Sequence, residues 1–337
     1  MLVGRSPLRI SFSGGGTDLE EYHNKFDGFT ISFTINRYTY VIAKTRDDNL
    51  LQGFSPDFAS HLPPSKYKKS YALPGHEIVL TSLKEMNFKK GIDIFLSTEV
   101  RPNSGLGASS SLTANLVNVI LTLQQKKWNK NKIAMKAYSI GHDVLKWGIG
   151  KQDEFASVFG GLNILKYTKD KVLVRKIILN SSTQKELQKN SLLFHIGGRK
   201  HSENILKSQI KNITTSKKNT LDSLHLVKQY TLEMHDALKE NDLEKFSNII
   251  NKGWEAKQNF AKGITNPRID KISKIAMESG AKSLKVTGAG GGGHLFVYAD
   301  AKKHKKIENT LKKLNVLKVD FKYENLGSKV FDMRKLN

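Results

Sequence analysis

Three glycine-bearing segments, well separated in the chain, carry residue types that can hold a polyphosphate. They are Ser13-Gly-Gly-Gly-Thr-Asp18, Pro102-Asn-Ser-Gly-Leu-Gly-Ala-Ser-Ser-Ser111 and Thr287-Gly-Ala-Gly-Gly-Gly-Gly293. The middle segment is the most informative. Its glycines let the backbone approach phosphate oxygens closely, and its N–H groups can point inward as a nest. It runs into a helical pattern starting near Ala108, whose free N-terminal N–H groups and dipole favour an anion. Hydroxyls at Ser109, Ser110 and Ser111 then sit where a magnesium ion bridges the phosphates; a serine that simply caps the helix is a compatible, plainer use. Nucleotide binding is therefore assigned to Ser104, Gly105, Leu106, Gly107, Ala108, Ser109, Ser110 and Ser111.

Rival chemistries fail on spacing. No Gly-x4-Gly-Lys-Ser/Thr string occurs. Gly288 to Gly293 matches the dinucleotide pattern literally, but His294-Leu-Phe-Val-Tyr298 reads as a strand where that unit needs a helix. There is no Gly-x-Ser-x-Gly elbow. Cysteine is absent, which excludes disulfides, thiolate metal sites and a cysteine nucleophile. His142, His195 and His294 are scattered, so a zinc site is not expected.

The elements that must position these segments follow from periodicity. Leu8 to Phe12 alternates and enters the first glycine segment as a strand, and Thr30 to Lys44 and Gly91 to Val100 also read as strands. From Ser109 to Gln125 the apolar residues Leu112, Leu116, Val119, Ile120 and Leu123 recur at helical spacing. Further helices are predicted over Lys132 to Lys146 and from Lys151. Leu192 to Ile196 reads as a strand, and a long helical tract spans Ser202 to Met277. Strands at Ser283 to Thr287 and His294 to Tyr298 flank the third glycine segment. A helix at Lys302 to Leu314 and a strand at Val316 to Tyr323 complete a ferredoxin-like order. The polar stretch from Asn180 to Asn190 places a boundary, giving domains 1–180 and 181–337.

Composition bounds the rest. Of the 337 residues, 38% are hydrophobic and 26% charged, a globular balance. No run of apolar residues is long enough to span a bilayer, and the first residues lack a signal-peptide core, so a cytoplasmic protein is expected. The formal net charge of +24 raises nucleic-acid binding. The excess is mostly dispersed lysine without an arginine–aromatic block, so an anionic small substrate is the preferred explanation.

Taken together, the three segments resemble the three motifs of the GHMP kinases, over nearly the whole chain from Arg5 to Val330. Within that family three stretches look most like the heptose 7-phosphate kinases. They are Arg5-Ser-Pro-Leu-Arg-Ile-Ser-Phe-Ser-Gly-Gly-Gly-Thr-Asp18, Gly150-Lys-Gln-Asp-Glu-Phe155 followed by Gly160 and Gly161, and Lys285-Val-Thr-Gly-Ala-Gly-Gly-Gly-Gly293. The resemblance implies an α+β fold of two domains, the second ferredoxin-like, with the nucleotide cleft between them. It implies ATP and Mg2+ as cofactors. The acceptor would be a sugar phosphate, D-glycero-D-manno-heptose 7-phosphate, converted to the 1,7-bisphosphate for nucleotide-activated heptose synthesis.

Carried over by position, Asp153 stands at the family's catalytic base and Arg9 at an arginine neighbouring base and phosphoryl group. A helix cap or a structural ion pair is the plainer use of each. Asp18 aligns with the family's sugar-binding Asp. Gly15 and Gly16 replace the Glu and His of the Gly-Glu-His-Thr-Asp motif, which opens space and removes a negative charge. Gly15, Gly16, Thr17, Asp18, Gly288, Gly290 and Gly291 are thus assigned to the substrate. Arg199 and Lys200 are assigned to its distal phosphate, with Lys257 and Arg37 next in line. Ser109 and Asp143 are the metal candidates, because the helix before Asp153 lacks the family's Glu. The alternatives are a fucose or galactose kinase, or a non-catalytic nucleic-acid-binding or regulatory relative. Partners are confined to sugar phosphate and ATP, without membrane or nucleic acid, for a monomer or homodimer.

Overall fold

Strand β1 (Leu2–Ser13) is buried along nearly its whole length and pairs antiparallel with the long β2 (Gly28–Arg46). The computed structural model describes residues 1–66, 76–101, 103–197 and 202–335. Around this pair grows a sheet containing β3 (Leu51–Ser55), β4 (Ser60–Ser65), β5 (Gly91–Thr98), β6 (Leu162–Tyr167) and β7 (Val172–Lys176). A second sheet is formed by β8 (Ser191–Gly197), β9 (Ser283–Val286), β10 (Gly293–Tyr298) and β11 (Leu317–Lys318). Its spatial order is β11-β8-β10-β9, all antiparallel, which is the ferredoxin-like arrangement foreseen from the sequence. The chain ends in β12 (Lys329–Asp332), which returns to pair with Leu2 to Arg5 of β1.

The helices are α1 (Glu20–Phe26), α2 (Glu77–Glu85), α3 (Ala108–Leu123), α4 (Lys130–Ser139), α5 (Gln152–Phe159) and α6 (Ser181–Asn190), then α7 (Ser202–Thr214), α8 (Lys218–Lys239), α9 (Leu243–Gln258), α10 (Pro267–Glu278) and α11 (His304–Lys312). Helix α3 is the central one. Leu112, Leu116, Val117, Val119 and Ile120 bury it against the first sheet and against α4 and α5. Each such side chain stabilises the fold by about 1.5–3 kcal/mol relative to an exposed position. An apolar layer of Leu8, Phe12, Phe33, Leu193, Phe246 and Phe296 joins the two sheets, so the end of β1 is held from both sides.

Several expectations are corrected. The helical tract from Ser202 to Met277 is four helices, and Lys132 to Lys146 ends in a π turn at Ile140–Val144. The strand expected over Val316 to Tyr323 is paired with β8 only at Leu317 and Lys318. Beyond them the chain crosses to the first sheet, where Tyr323 bridges Ile35 and stacks on Phe33 with centroids 4.2 Å apart. A division into 1–180 and 181–337 stays a proposal, and β12 belongs to the first sheet whichever way the units are drawn. Among the described residues, no helix is long and apolar enough to cross a membrane.

Candidate active site

Strand β1 presents Arg9 to the first turn of α5, 144 positions away, where Asp153 receives it with both oxygens. Arg9 Nε donates to Asp153 Oδ1 at 2.7 Å and Nη2 to Oδ2 at 2.6 Å. The remaining Nη1 donates to the Gly105 carbonyl at 2.7 Å, and the Arg9 backbone N–H donates to the Leu106 carbonyl at 3.1 Å. The guanidinium side chain is 5% exposed, while that of Asp153 is 24% exposed. The cation is thus sealed and oriented, and its partner carboxylate keeps an open face. Such a bidentate pair fixes geometry as well as charge.

The loop before α3 packs directly on this pair. Gly105 and Gly107 have φ of 79° and 78°, and a Cβ on Gly107 would lie 3.0 Å from Asp153 Oδ2. The first helical bond of α3 runs from Ser111 N–H to the Gly107 carbonyl, so the N–H groups of Ala108, Ser109 and Ser110 stand outside the helical ladder. No side chain caps this end of the helix, which disposes of the plainer use of the serines. Their fates differ. Ser109 is exposed, whereas Ser111 is buried and donates toward the carbonyls of Ser6 and Pro7 with Thr39 Oγ1 beside it. Ser111 therefore anchors α3 to β1, with its hydroxyl already engaged. Leu106 is wholly buried and contributes only backbone. The Ser104 carbonyl accepts from His294 Nδ1 at 2.8 Å, which ties this loop to the start of β10.

In the first glycine segment only Gly15 opens space. A Cβ on Gly16 would come within 2.6 Å of Gln209 Nε2 and 2.9 Å of Phe260, at a φ of 103°. Gly16 is thus required by packing, contrary to the open pocket expected there. Thr17 is also structural, because its hydroxyl donates to the Gly14 and Phe29 carbonyls and is fully buried. Asp18 is buried, and its oxygens accept the Gly16 N–H at 2.8 Å and the Gln152 N–H at 3.2 Å. Burial raises its carboxyl above the ordinary value against the pull of the Gly16 N–H, and Asp153 adds to the rise. Its visible work is to hold the start of α5.

The third segment is used mostly for packing. Gly290 lies against the Ile264 backbone, and Gly291 N–H donates to the Ile264 carbonyl at 2.8 Å. The Gly288 carbonyl accepts from Lys257 Nζ at the end of α9. Arg199 and Lys200 lie outside the described residues. Arg37 is committed elsewhere, to the Asp320 carbonyl and Glu99. Asp143 is exposed and accepts from His142 Nδ1 at 2.8 Å; its other neighbours, Ser139 and Lys146, also come from its own segment. These contacts thus lie within its own segment, and none of them reaches Ser109. Among the described residues no group of three or more His, Cys, Asp or Glu is placed to hold a metal.

Three residues near the site lay inside the quoted motifs but were assigned no role from the sequence. Lys285 is buried and donates to the Phe12 carbonyl at 2.8 Å; burial, then Lys257 and Arg9, holds its ammonium well below the usual lysine range. Gln152, next to Asp153 in the chain, donates from Nε2 to Ser11 Oγ at 2.9 Å. Glu154 is 1% exposed, and burial followed by Asp153 pushes its carboxyl up to about 8 against the pull of the Ser110 hydroxyl. Their signal was membership of those stretches, since Gln152 and Glu154 flank Asp153 and Lys285 opens the third one.

A glycine loop at a helix N-terminus, abutting an arginine-held carboxylate, belongs to a phosphotransferase, and two family matches agree with it. The GHMP kinases N terminal domain matches residues 76–161 and the GHMP kinases C terminal domain residues 234–316. The chain belongs to the GHMP kinase family. It is 28% identical over 335 residues to the D-glycero-alpha-D-manno-heptose 7-phosphate kinase of Campylobacter jejuni, covering 96% of this chain and 97% of that one. It is 24% identical to the galactokinase of Pyrococcus furiosus, with 94% of each covered. A crystal structure of a D-glycero-D-manno-heptose 1-phosphate kinase from Bacteroides thetaiotaomicron shares the fold at a TM-score of 0.81 and 20% identity, covering 99% of both chains.

Proposed function

We propose that this protein is an ATP-dependent sugar kinase acting on the anomeric hydroxyl of a sugar phosphate, with D-glycero-D-manno-heptose 7-phosphate as acceptor and the 1,7-bisphosphate as product. The observation that carries the reading is the Arg9–Asp153 pair bonded to the Gly105 carbonyl and packed under Gly107. Loop N–H groups and the start of α3 hold the ATP phosphates in this reading. The acceptor hydroxyl lies against the open face of Asp153, which takes its proton as the acceptor oxygen bonds to the γ-phosphorus. The bond from that phosphorus to the bridging oxygen breaks, and ADP leaves. Arg9 orients the carboxylate and adds positive charge beside the transferred group.

The donor set suits Mg2+ in the way of an ion that keeps waters and binds mainly substrate phosphates, with the exposed Ser109 hydroxyl as protein ligand. When bound, such an ion neutralises charge on the phosphate oxygens.

The Campylobacter relative supports heptose 7-phosphate as acceptor, and the galactokinase likeness supports the second reading, a kinase for galactose or fucose. The paired Arg9 and Asp153 speak against a non-catalytic nucleic-acid-binding relative. Arg199 and Lys200 remain the proposed ligands of the distal phosphate, and a cytoplasmic monomer or homodimer the proposed state. ADP release from Mg·ATP with heptose 7-phosphate, heptose, galactose and fucose tests the reading, with phosphorus NMR locating the new ester. Turnover of the free sugars in preference to heptose 7-phosphate would contradict it.

A further inference from the structure

Helix α5 has only eight residues, too few for its own hydrogen bonds to fix it, so what holds its two ends matters. Its first turn is gripped by Arg9 through Asp153. Its exit is gripped by Thr34, which stands directly opposite Arg9 in the β1–β2 ladder and so shares that face of the sheet. Thr34 Oγ1 accepts from the Gly161 N–H and donates to the Glu324 carbonyl, each at 2.6 Å. The Gly161 N–H also reaches the Glu324 carbonyl at 3.1 Å, which closes the three into one set. The Thr34 backbone repeats both links. Its N–H donates to the Gly161 carbonyl at 3.3 Å, and its carbonyl accepts from the Glu324 N–H at 2.8 Å. Thr34 is fully buried.

Glu324 belongs to a strap, residues 319–328, which leaves the second sheet where the Val319 N–H donates to the Leu193 carbonyl at 2.8 Å. The strap then runs along the end of α5. There the Ser328 N–H donates to the Ser157 carbonyl at 2.8 Å, taking one of the last carbonyls of the helix. Two glycines permit so close an approach. A Cβ on Gly160, at a φ of 69°, would lie 2.2 Å from Gly327 N, and one on Gly327 would lie 2.1 Å from the Val158 carbonyl oxygen. Gly160 and Gly161, singled out in the sequence as part of a motif, thus receive the end of the chain. Just beyond the strap, β12 pairs with β1, the strand of Arg9. One C-terminal segment therefore touches both elements that carry the Arg9–Asp153 pair.

We propose that Thr34 and this strap position Asp153: Arg9 holds the start of α5, Thr34 holds its exit, and the strap locks that exit in place. Thr34 is a positioning residue that acts through α5. The proposal rests on the kinase reading above, in which Asp153 takes the acceptor proton. A small misplacement of that carboxylate costs rate rather than affinity, so the effect falls on kcat.

The test compares wild type with Thr34→Val, which removes the hydroxyl at nearly constant shape, and Thr34→Ser, which keeps it. Valine is expected to lower kcat about tenfold or more, with the KM of ATP and of the acceptor within about twofold, and serine to recover most of the turnover. Hydrogen exchange of the α5 amides, read by mass spectrometry, is expected to quicken in the valine variant and not in the serine variant. Wild-type kcat in Thr34→Val below its Tm makes Thr34 a brace of the fold and overturns the proposal. Equal losses with valine and serine overturn it too. If Thr34→Val does not fold, Gly327→Ala, which forces the strap off the Val158 carbonyl, takes its place: the same loss of kcat at unchanged KM supports the proposal, and wild-type kcat overturns it. Wild-type protein that phosphorylates no sugar overturns the kinase reading alone. The exchange of α5 in the folded variant then decides for the strap if it quickens and against it if it does not.

Discussion

Gly107 stands so close to Asp153 that a Cβ on it would lie 3.0 Å from Oδ2 and 3.2 Å from Cγ. The loop before α3 and the Asp153 carboxylate thus pack directly on each other, and a change in one is felt by the other. Gly107→Val adds a β-branched side chain at a φ of 78°, where non-glycine residues are strained. It is expected to abolish Mg·ATP binding in calorimetry while circular dichroism shows a folded protein. Unaltered affinity in a folded variant would remove this loop from the site.

Arg9→Lys keeps the charge but replaces a three-way fork by one ammonium, which cannot serve Asp153 twice and the Gly105 carbonyl together. Turnover should fall on the order of 10- to 100-fold, from a base no longer fixed in place. Because Arg9 is sealed from water, Tm should drop as well. Steady-state kinetics beside a thermal melt separates the two effects; wild-type kcat at a temperature well below Tm would show that the fork is not needed.

Glu154 gives the fold a pH dependence of definite sign. Its carboxyl sits at about 8 in the folded protein against an ordinary 4.5, so between these values the folded state holds a proton that the unfolded chain has released. Stability therefore falls as pH rises across that window, by at most about 1.4 kcal/mol per pH unit, and the loss is complete above the folded value. Glu154→Gln is neutral throughout and should flatten the slope, being more stable than wild type at pH 8.5. Urea denaturation at a series of pH values checks this, and identical slopes in both proteins would refute it.

The central helix and the three glycine runs were legible because each is written locally, in apolar spacing at Leu112, Leu116 and Val119 or in consecutive glycines. What each motif residue does was less so. Ser109 and Ser111 are the same residue type two positions apart, yet one is exposed and the other anchors β1, which only the packing of α3 decides. Thr17 and Gly16 were assigned to substrate by their motif, and their contacts with Phe29 and Gln209 come from other parts of the chain. Strands β3 and β4 and helix α2 went unseen, since Ser60-His-Leu-Pro-Pro-Ser65 neither alternates nor repeats at helical spacing. The return of β12 to β1 was hidden because a four-residue strand at the chain's end carries no signal of its partner.

The most direct test of Asp153 as the base of phosphoryl transfer is the kcat of Asp153→Asn with saturating heptose 7-phosphate, taken beside its Mg·ATP affinity. The amide keeps the shape of the carboxylate but cannot take the hydroxyl proton, and it weakens the hold on Arg9. The account predicts a fall in kcat on the order of 10²- to 10⁴-fold with ATP binding changed only a few-fold. A kcat near that of wild type, in a protein that still binds ATP, would contradict it.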